Sequence, residues 1–361
     1  MRRSRILLVA AIAIVLAIAP ATSGTFQPEP SVLLNLSVLN VGQGDAILIT
    51  TSDDCTMLID GGPQGAAGAI LNALRENNVS TIDVLVATHP HADHIGGLPE
   101  VLDQIPVLRI LDSGSVSTSK TYANYFDRIR TKGIPVAPGT MGSSFAFGPA
   151  TVKILWPGDL LSTNPNDCSI VVELVYGEFS ALLTGDAEAD SEYEMMRLGL
   201  LSQVDALKVA HHGSASSTTA AFLSVVNPAV AIISVGAGNT YGHPSGEVLA
   251  RLSGLNIEVY RTDLDGTVTV KTDGNDWRVQ PEVLKPVGGI TTNSAVAPVP
   301  EPVPIPTPAA PQTYYGSKNS NVFHYGWCRY VASIKAANLR VFTSRQDAVN
   351  KGYRPCAACK P

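Results

Sequence analysis

"VLVATHPHADHIGG", residues 84–97, decides how this chain is read. Its start lies in the run "IDVLVAT", a near-continuous apolar stretch of the kind buried on both faces of a sheet. His89, His91, Asp93 and His94 follow directly, four ligand-type side chains in six positions. Imidazole and carboxylate are good ligands for zinc and other first-row divalent metals. A strand end followed by a tight loop can splay alternate residues toward two neighbouring ions. Gly96 and Gly97 let the backbone turn closely behind them. A lone His-Pro-His would mean little, but the full cluster at a strand end predicts a metal site.

The 361 residues around this cluster are enough for more than one domain. Arg2, Arg3 and Arg5 precede an apolar run from Ile6 to Ala19, with small residues at Ala21, Ser23 and Gly24. That layout predicts a signal peptide over 1–24, or an uncleaved N-terminal anchor in its place. A secreted or extracytoplasmic protein is therefore expected, with membrane contact only if the segment stays attached. Residues 285–312, "KPVGGITTNSAVAPVPEPVPIPTPAAPQ", read as an extended, semi-rigid Pro-rich linker. It separates a large domain, 31–284, from a small one, 313–361.

Charge divides along the same line. The net charge is −6, but the last 49 residues carry eight basic side chains against Asp347 alone, a local +7. A mildly acidic body with a basic tail points to the tail as the part that meets a polyanion. The five cysteines are an odd count, which argues against a pure disulfide framework. Cys55 and Cys168 could pair in an exported protein, or could equally be two small buried residues.

The large domain predicts a layered α/β fold. "SVLLNLSVLNVG", "AILITTS" and "CTMLID" are short β-rich runs in quick succession. "GAAGAILNALRENN" has helical spacing, with Ile70, Leu71 and Leu74 on one side. "TVKILWP", "SIVVELVYG", "SALLTGD", "ALKVAHH" and "VAIISVG" repeat the strand pattern, and "TTAAFLSVVN" and "SGEVLARLSG" look helical.

His89, His91, Asp93 and His94 match, position for position, the HxHxDH signature of the metallo-β-lactamase-fold superfamily, which the sequence resembles. "NVGQGDAILI" (40–49), "LIDGG" (58–62), "LLTGD" (182–186), "LKVAHHGS" (207–214) and "YGHPS" (241–245) are similar, in that order, to the hydrolase domain of ComEC-type competence (DNA-uptake) proteins. The resemblance spans roughly residues 35–280. It implies an αββα sandwich and a hydrolase with two divalent ions, zinc or manganese. By the same resemblance Asp186 bridges both ions and Asp60 supports the ligands from behind. Strand alternation suggests that only one of His211 and His212 faces the metal. His211 is the expected ligand, and His212 is left for a catalytic hydrogen bond to substrate or for the fold. His243 reads as a ligand, a substrate contact or a structural loop histidine.

Many dinuclear members place a further histidine between HxHxDH and the bridging aspartate. Here no histidine lies between His94 and His211, and "NDCSIVV" fills the region, as it does in the ComEC-type group. His211 or His243 could complete the first ion's shell. Two divalent ions about 3.5–4 Å apart lower the pKa of a shared water and clamp attacking and leaving oxygens, which suits phosphodiesters. Asp93 or Asp186 would orient the nucleophile. Asn166, Ser169 and Lys208 are weaker candidates for touching a phosphate, and Lys208 reads equally as a solvated strand-end lysine.

In the tail, His324-x3-Cys328 and Cys356-x2-Cys359 have four-ligand structural zinc spacing. A domain of 49 residues has little core, so a metal staple is physically apt. "GYRPCAACKP" resembles the zinc module of the Ada DNA-repair protein, with His324 where that module has a cysteine. The basic charge and the aromatics Tyr314, Tyr315, Phe323, Tyr325, Trp327 and Tyr330 suit nucleic acid, the alternative being an export-tolerant zinc domain that binds protein or cell wall.

Together these features lead to an expected exported metal-dependent DNase or phosphodiesterase with a DNA-binding zinc module and no stable protein partner. The alternative is a small-molecule hydrolase of β-lactamase, lactonase or phosphorylcholine esterase type.

Overall fold

The computed structural model describes residues 34–157, 164–283, 314–325, 334–335, 338–342 and 345–356. The expected signal or anchor (1–24), the linker (285–312) and two expected zinc ligands, Cys328 and Cys359, lie outside them. The chain divides into two units, Met1–Pro286 and Val287–Pro361. Among the described residues no helix is long and apolar enough to cross a membrane.

The first unit contains two mixed sheets. One starts with β1 (Leu34–Val38), β2 (Ile47–Thr51), β3 (Thr56–Ile59), β4 (Val84–Ala87), β5 (Ile110–Asp112) and β6 (Val136–Pro138). The other holds β7 (Ser144–Phe147), β8 (Ala150–Trp156), β9 (Val171–Tyr176), β10 (Phe179–Leu183), β11 (Ala206–Lys208), β12 (Val230–Ile233) and β13 (Glu258–Arg261). The chain then returns to the first sheet with β14 (Val268–Thr272) and β15 (Trp277–Pro281). The strand orders are β15-β14-β1-β2-β3-β4-β5-β6 and β13-β12-β11-β10-β9-β8-β7.

Side-chain alternation explains why the sheets stack. Leu34, Leu36 and Val38, Ile47 and Ile49, Met57 and Ile59, and Val84 and Val86 point to one face. There they meet Val152, Val172, Leu174, Phe179, Ala181, Leu183 and Ile232 of the second sheet. The residues between them, Leu48, Leu58, Leu85 and Ala87, face outward onto helices α1 (Ala67–Glu76), α2 (Ala92–Ile95), α3 (Leu98–Gln104) and α4 (Lys120–Lys132). On the second sheet Leu182, Leu207, Ala231 and Ile233 face outward onto α5 (Ala189–Arg197), α6 (Ala220–Val226) and α7 (Gly246–Gly254). Each fully buried aliphatic chain contributes about 1.5–3 kcal/mol. The result is the expected αββα sandwich. Cys55 and Cys168 both remain thiols, so no disulfide links them.

Two runs of parallel strands place the site. β3 to β6 are parallel, and so are β10 to β13. Parallel strands deliver all their carboxyl ends to one rim, where ligand-binding loops collect.

The second unit forms a four-stranded sheet, ordered β18-β16-β17-β19. Its strands are β16 (Tyr314–Ser317), β17 (Val322–Tyr325), β18 (Leu339–Phe342) and β19 (Arg354–Pro355), with a short helix, Arg345–Asn350, between the last two. Tyr314, Phe323, Phe342 and Ala348 make its small core. The Cys356 N–H donates to the Phe323 carbonyl at 3.0 Å, which seats Cys356 beside the strand bearing His324. Both side chains are buried, and burial pushes the His324 imidazole below its usual pKa, toward the neutral form a metal ligand needs.

Candidate metal centre

Each donor leaves the end of a strand. β4 ends at Ala87 and runs through Thr88 into His89, His91 and the short helix α2, which carries Asp93 and His94. Asp60 follows β3, Asp186 follows β10, and the turn Ala210–Gly213 follows β11. The β1–β2 loop closes over α2 from the other side. Gly44, at φ +143°, lies against α2 so closely that a Cβ there would come within 2.2 Å of the Asp93 carbonyl oxygen. No other residue fits that position, and it brings Asp45 to the centre of the cluster.

Asp186 is the hub. Its Oδ2 lies 3.2 Å from His94 Nε2, 3.6 Å from His212 Nε2, 3.7 Å from His211 Nε2 and 3.8 Å from His89 Nε2. Asp93 Oδ2 is 3.4 Å from His212 Nε2, and His89 Nε2 is 3.0 Å from His91 Nδ1. Asp93, His94, Asp186 and His212 therefore offer one tight group of donor atoms.

The opposite ring nitrogens are held from behind. His94 Nδ1 donates to Asp60 Oδ2 at 2.7 Å, and Asp60 also accepts the Thr88 N–H at 2.8 Å and the Thr88 hydroxyl at 2.7 Å. His212 Nδ1 donates to the Ser234 carbonyl at 3.0 Å and lies 3.3 Å from Asp45 Oδ1. His89 Nδ1 lies 3.1 Å from Thr88 Oγ1 and 3.3 Å from Ser169 Oγ. His211 Nδ1 lies 3.1 Å from Glu188 Oε1. Fixing Nδ1 in this way sets the tautomer and aims Nε2 inward.

Electrostatics favour a cation here. Asp45, Asp60, Asp93 and Asp186 converge on the cluster, and Lys208 is the fixed cation that pairs with Asp45. Burial would raise the Asp45 and Asp93 carboxyls. The charges of Lys208 and His212 hold Asp45 down at about 2, and the His212 ring, its Nε2 3.4 Å away, does the same for Asp93 together with the charge of His94. Burial would lower His212, yet the Asp186 and Asp45 carboxylates lift it to about 9. His89, with burial first and then the neighbouring His94 charge, is pushed well below its usual value. His94 Nε2, His212 Nε2 and Asp186 Oδ1 are buried at the centre with no hydrogen-bond partner among the described residues. Orphaned buried donors and acceptors are costly, and a divalent ion satisfies them together. The residues thus fit a dinuclear site. Asp93, His94, Asp186 and His212 would hold one ion, and His89, His91 and Asp186 the other, with His211 at its edge.

Several expected roles change. His211 and His212 do not alternate as on a strand, because β11 stops at Lys208 and both histidines are left-handed, at φ +49° and +53°. That turn drives His212 inward, so His212 rather than His211 joins the tight donor group, and His211 stays at the rim, 22 % exposed. Lys208 is neither solvated nor open to substrate. It is buried, bound to Asp45 and to the Gly185 carbonyl at 3.0 Å. Ser169 is buried behind His89 and accepts the Asp186 N–H at 3.1 Å. Asn166 is buried and donates to Glu188 Oε1 at 3.0 Å. Both act from behind rather than on a phosphate. His243 lies beside the cluster, its ring 5.6 Å from that of His211. Asp45 and Glu188 were not singled out from the sequence. Asp45 stands inside "NVGQGD", and Glu188 is two residues past Asp186.

Residues 39–237, which carry all of these donors except His243, match the profile of the Metallo-beta-lactamase superfamily. The chain belongs to that superfamily. Residues 307–361 match the metal binding domain of Ada, starting six residues ahead of the expected boundary. Within the superfamily, "ComE operon protein 3" of Bacillus subtilis (strain 168) is 33% identical over 196 residues, 54% of this chain and 25% of that protein. "Recombination protein 2" of Haemophilus influenzae is 32% identical over 240 residues, 65% of this chain and 28% of that protein. "Competence protein ComA" of Neisseria gonorrhoeae is 28% identical over 249 residues, 68% of this chain and 33% of that protein. The chain spans about a quarter to a third of the length of these relatives. It is a metallo-β-lactamase-type hydrolase domain joined to an Ada-type zinc-binding domain.

Proposed function

We propose that the protein is an exported, metal-dependent phosphodiesterase acting on DNA, whose zinc-binding tail domain grips the nucleic acid. The observation that carries this reading is the Asp186 hub, where four imidazoles from two loops, one at the end of each sheet, converge on one carboxylate oxygen. The relatives support the substrate class, since one of them is named a competence protein. The tail's +7 charge supports the grip on a polyanion.

Two divalent ions, when bound, supply Lewis-acid charge and lower the pKa of a water. The chain's own groups do the rest. Asp93, partly exposed at the mouth, accepts a hydrogen bond from the attacking water and fixes its direction. His211, aligned by Glu188, reaches the rim where a phosphate oxygen or a leaving alcohol would lie. Water attacks phosphorus, the bond to the leaving oxygen breaks, and that oxygen takes up a proton.

The test is cleavage of single- and double-stranded DNA by the full-length protein with Mn²⁺ or Zn²⁺. Wild type should cut, and His91→Ala should lose at least about a hundredfold, the size of effect seen when an electrostatic catalyst is removed. Equal cutting by His91→Ala would overturn the reading. Fast turnover of nitrocefin with DNA untouched would replace it with a small-molecule hydrolase.

A further inference from the structure

The superfamily match stops at residue 237, at the start of a loop that the site chemistry leaves unexplained. This loop, "GAGNTYGHPS" (236–245), leaves β12 and ends at the cap of α7. It presents Tyr241 to solvent, 69% exposed, beside a buried cluster. A large aromatic ring on a surface loop normally folds down or moves freely. Here the backbone is braced. The Asn239 side-chain amide donates to the Gly236 carbonyl at 3.0 Å and to the His243 carbonyl at 2.6 Å. Its Oδ1 accepts the N–H groups of Tyr241 and His243, each at 3.1 Å. The Ser245 N–H donates to the Gly213 carbonyl at 2.8 Å, tying the loop to the turn that carries His211 and His212.

The ring is also aligned. Tyr241 stacks on His243 with centroids 5.8 Å apart and planes 25° apart. His243 lies 5.6 Å from His211 and 6.4 Å from His212, ring to ring. Tyr241 is therefore one stacked ring away from the donor cluster, with its outer surface open. A rigid, exposed π-face beside a phosphodiester site suits a nucleobase, because every base has a π-face and stacking needs no sequence.

We propose that Tyr241 is the stacking platform for the base of the nucleotide next to the scissile phosphate, and that Asn239 positions it. The proposal rests on the phosphodiesterase reading and adds how the strand is seated. It makes Tyr241 a determinant of substrate binding that contacts the base and leaves the metals alone.

Full-length wild type, Tyr241→Ala, Tyr241→Phe and Tyr241→Trp are compared on a labelled single-stranded oligonucleotide and on the same strand with abasic sites. Tyr241→Ala should lose about ten- to one-hundredfold in kcat/KM on the base-containing strand, the range that base–aromatic stacking gives. It should match wild type on the abasic strand, with metal content unchanged. Tyr241→Phe and Tyr241→Trp should keep the wild-type preference. Equal losses on both strands, or no loss on either, would overturn the platform.

Binding separates this outcome from the wider reading. Affinity for both strands is measured in full-length His91→Ala protein, with and without Tyr241→Ala. A base-dependent preference that disappears with Tyr241→Ala upholds the platform even if no variant cuts DNA. The absence of any such preference rejects it even if wild type cuts.

Discussion

The floor and the rim of the metal centre are built on different terms. On the floor, His94 and His212 are buried, and their outer nitrogens meet Asp60, Asp45 and a backbone carbonyl. Lys208, also buried, neutralises Asp45. On the rim, His211 is partly exposed against a half-buried Glu188, and His243 carries the exposed Tyr241. The floor spends ion pairs that nothing else can satisfy, whereas water can reach and replace the contacts of the rim. This contrast predicts that the floor governs folding and metal retention, and that the rim governs how substrate is held.

The largest effect that would break this contrast is on stability. Lys208→Met leaves the Asp45 carboxylate buried without its cation, and should cost about 3–5 kcal/mol in urea unfolding of the metal-free protein. Adding Asp45→Asn removes the stranded charge and should recover part of that loss. A Lys208→Met protein as stable as wild type would show that the pair is not part of the floor.

The second effect is on metal affinity. Burial disfavours the charged form of His212, but Asp186 and Asp45 outweigh it, so in the metal-free protein the ring keeps its extra proton up to about pH 9. A metal at Nε2 must displace that proton. Affinity should therefore rise by at least about tenfold per pH unit as pH climbs toward 9, and less steeply above it, where the raised His94 still has a proton to give up. Competition with a chromophoric chelator from neutral to alkaline pH measures the slope, and no slope would remove His212 from the ligand set.

The smallest effect belongs to the rim. Glu188→Gln keeps an acceptor for His211 but removes the charge, so kcat on DNA should fall by less than about tenfold. Metal content, read by mass spectrometry, should not change. Metal loss in that variant would move His211 from rim to floor.

The layering was legible because both sheets alternate cleanly: "TMLI", "VLVA" and "VAII" sort their side chains into inner and outer sets by position. The HxHxDH cluster was legible because its donors are local in sequence. Helix α4 was not, because it buries only Tyr125 and Ile129 of thirteen residues and leaves a weak period. Asp45 was not, because its place depends on the β1–β2 loop folding onto α2, which is remote in sequence. The order of His211 and His212 depends on two successive left-handed residues, a conformation that strand alternation does not foresee. The burial of Lys208 was within reach, since it lies two residues from the inward-facing Ala206 on the same strand.

The Asp186 hub also sets an order of events. His89 and His94 leave the first sheet, while Asp186, His211 and His212 leave the second, so neither sheet alone carries the hub and its imidazoles. The centre comes into being only when the two inner faces have closed on each other. Metal uptake then reports a finished fold, and a chain that has not yet closed its two sheets together stays catalytically silent.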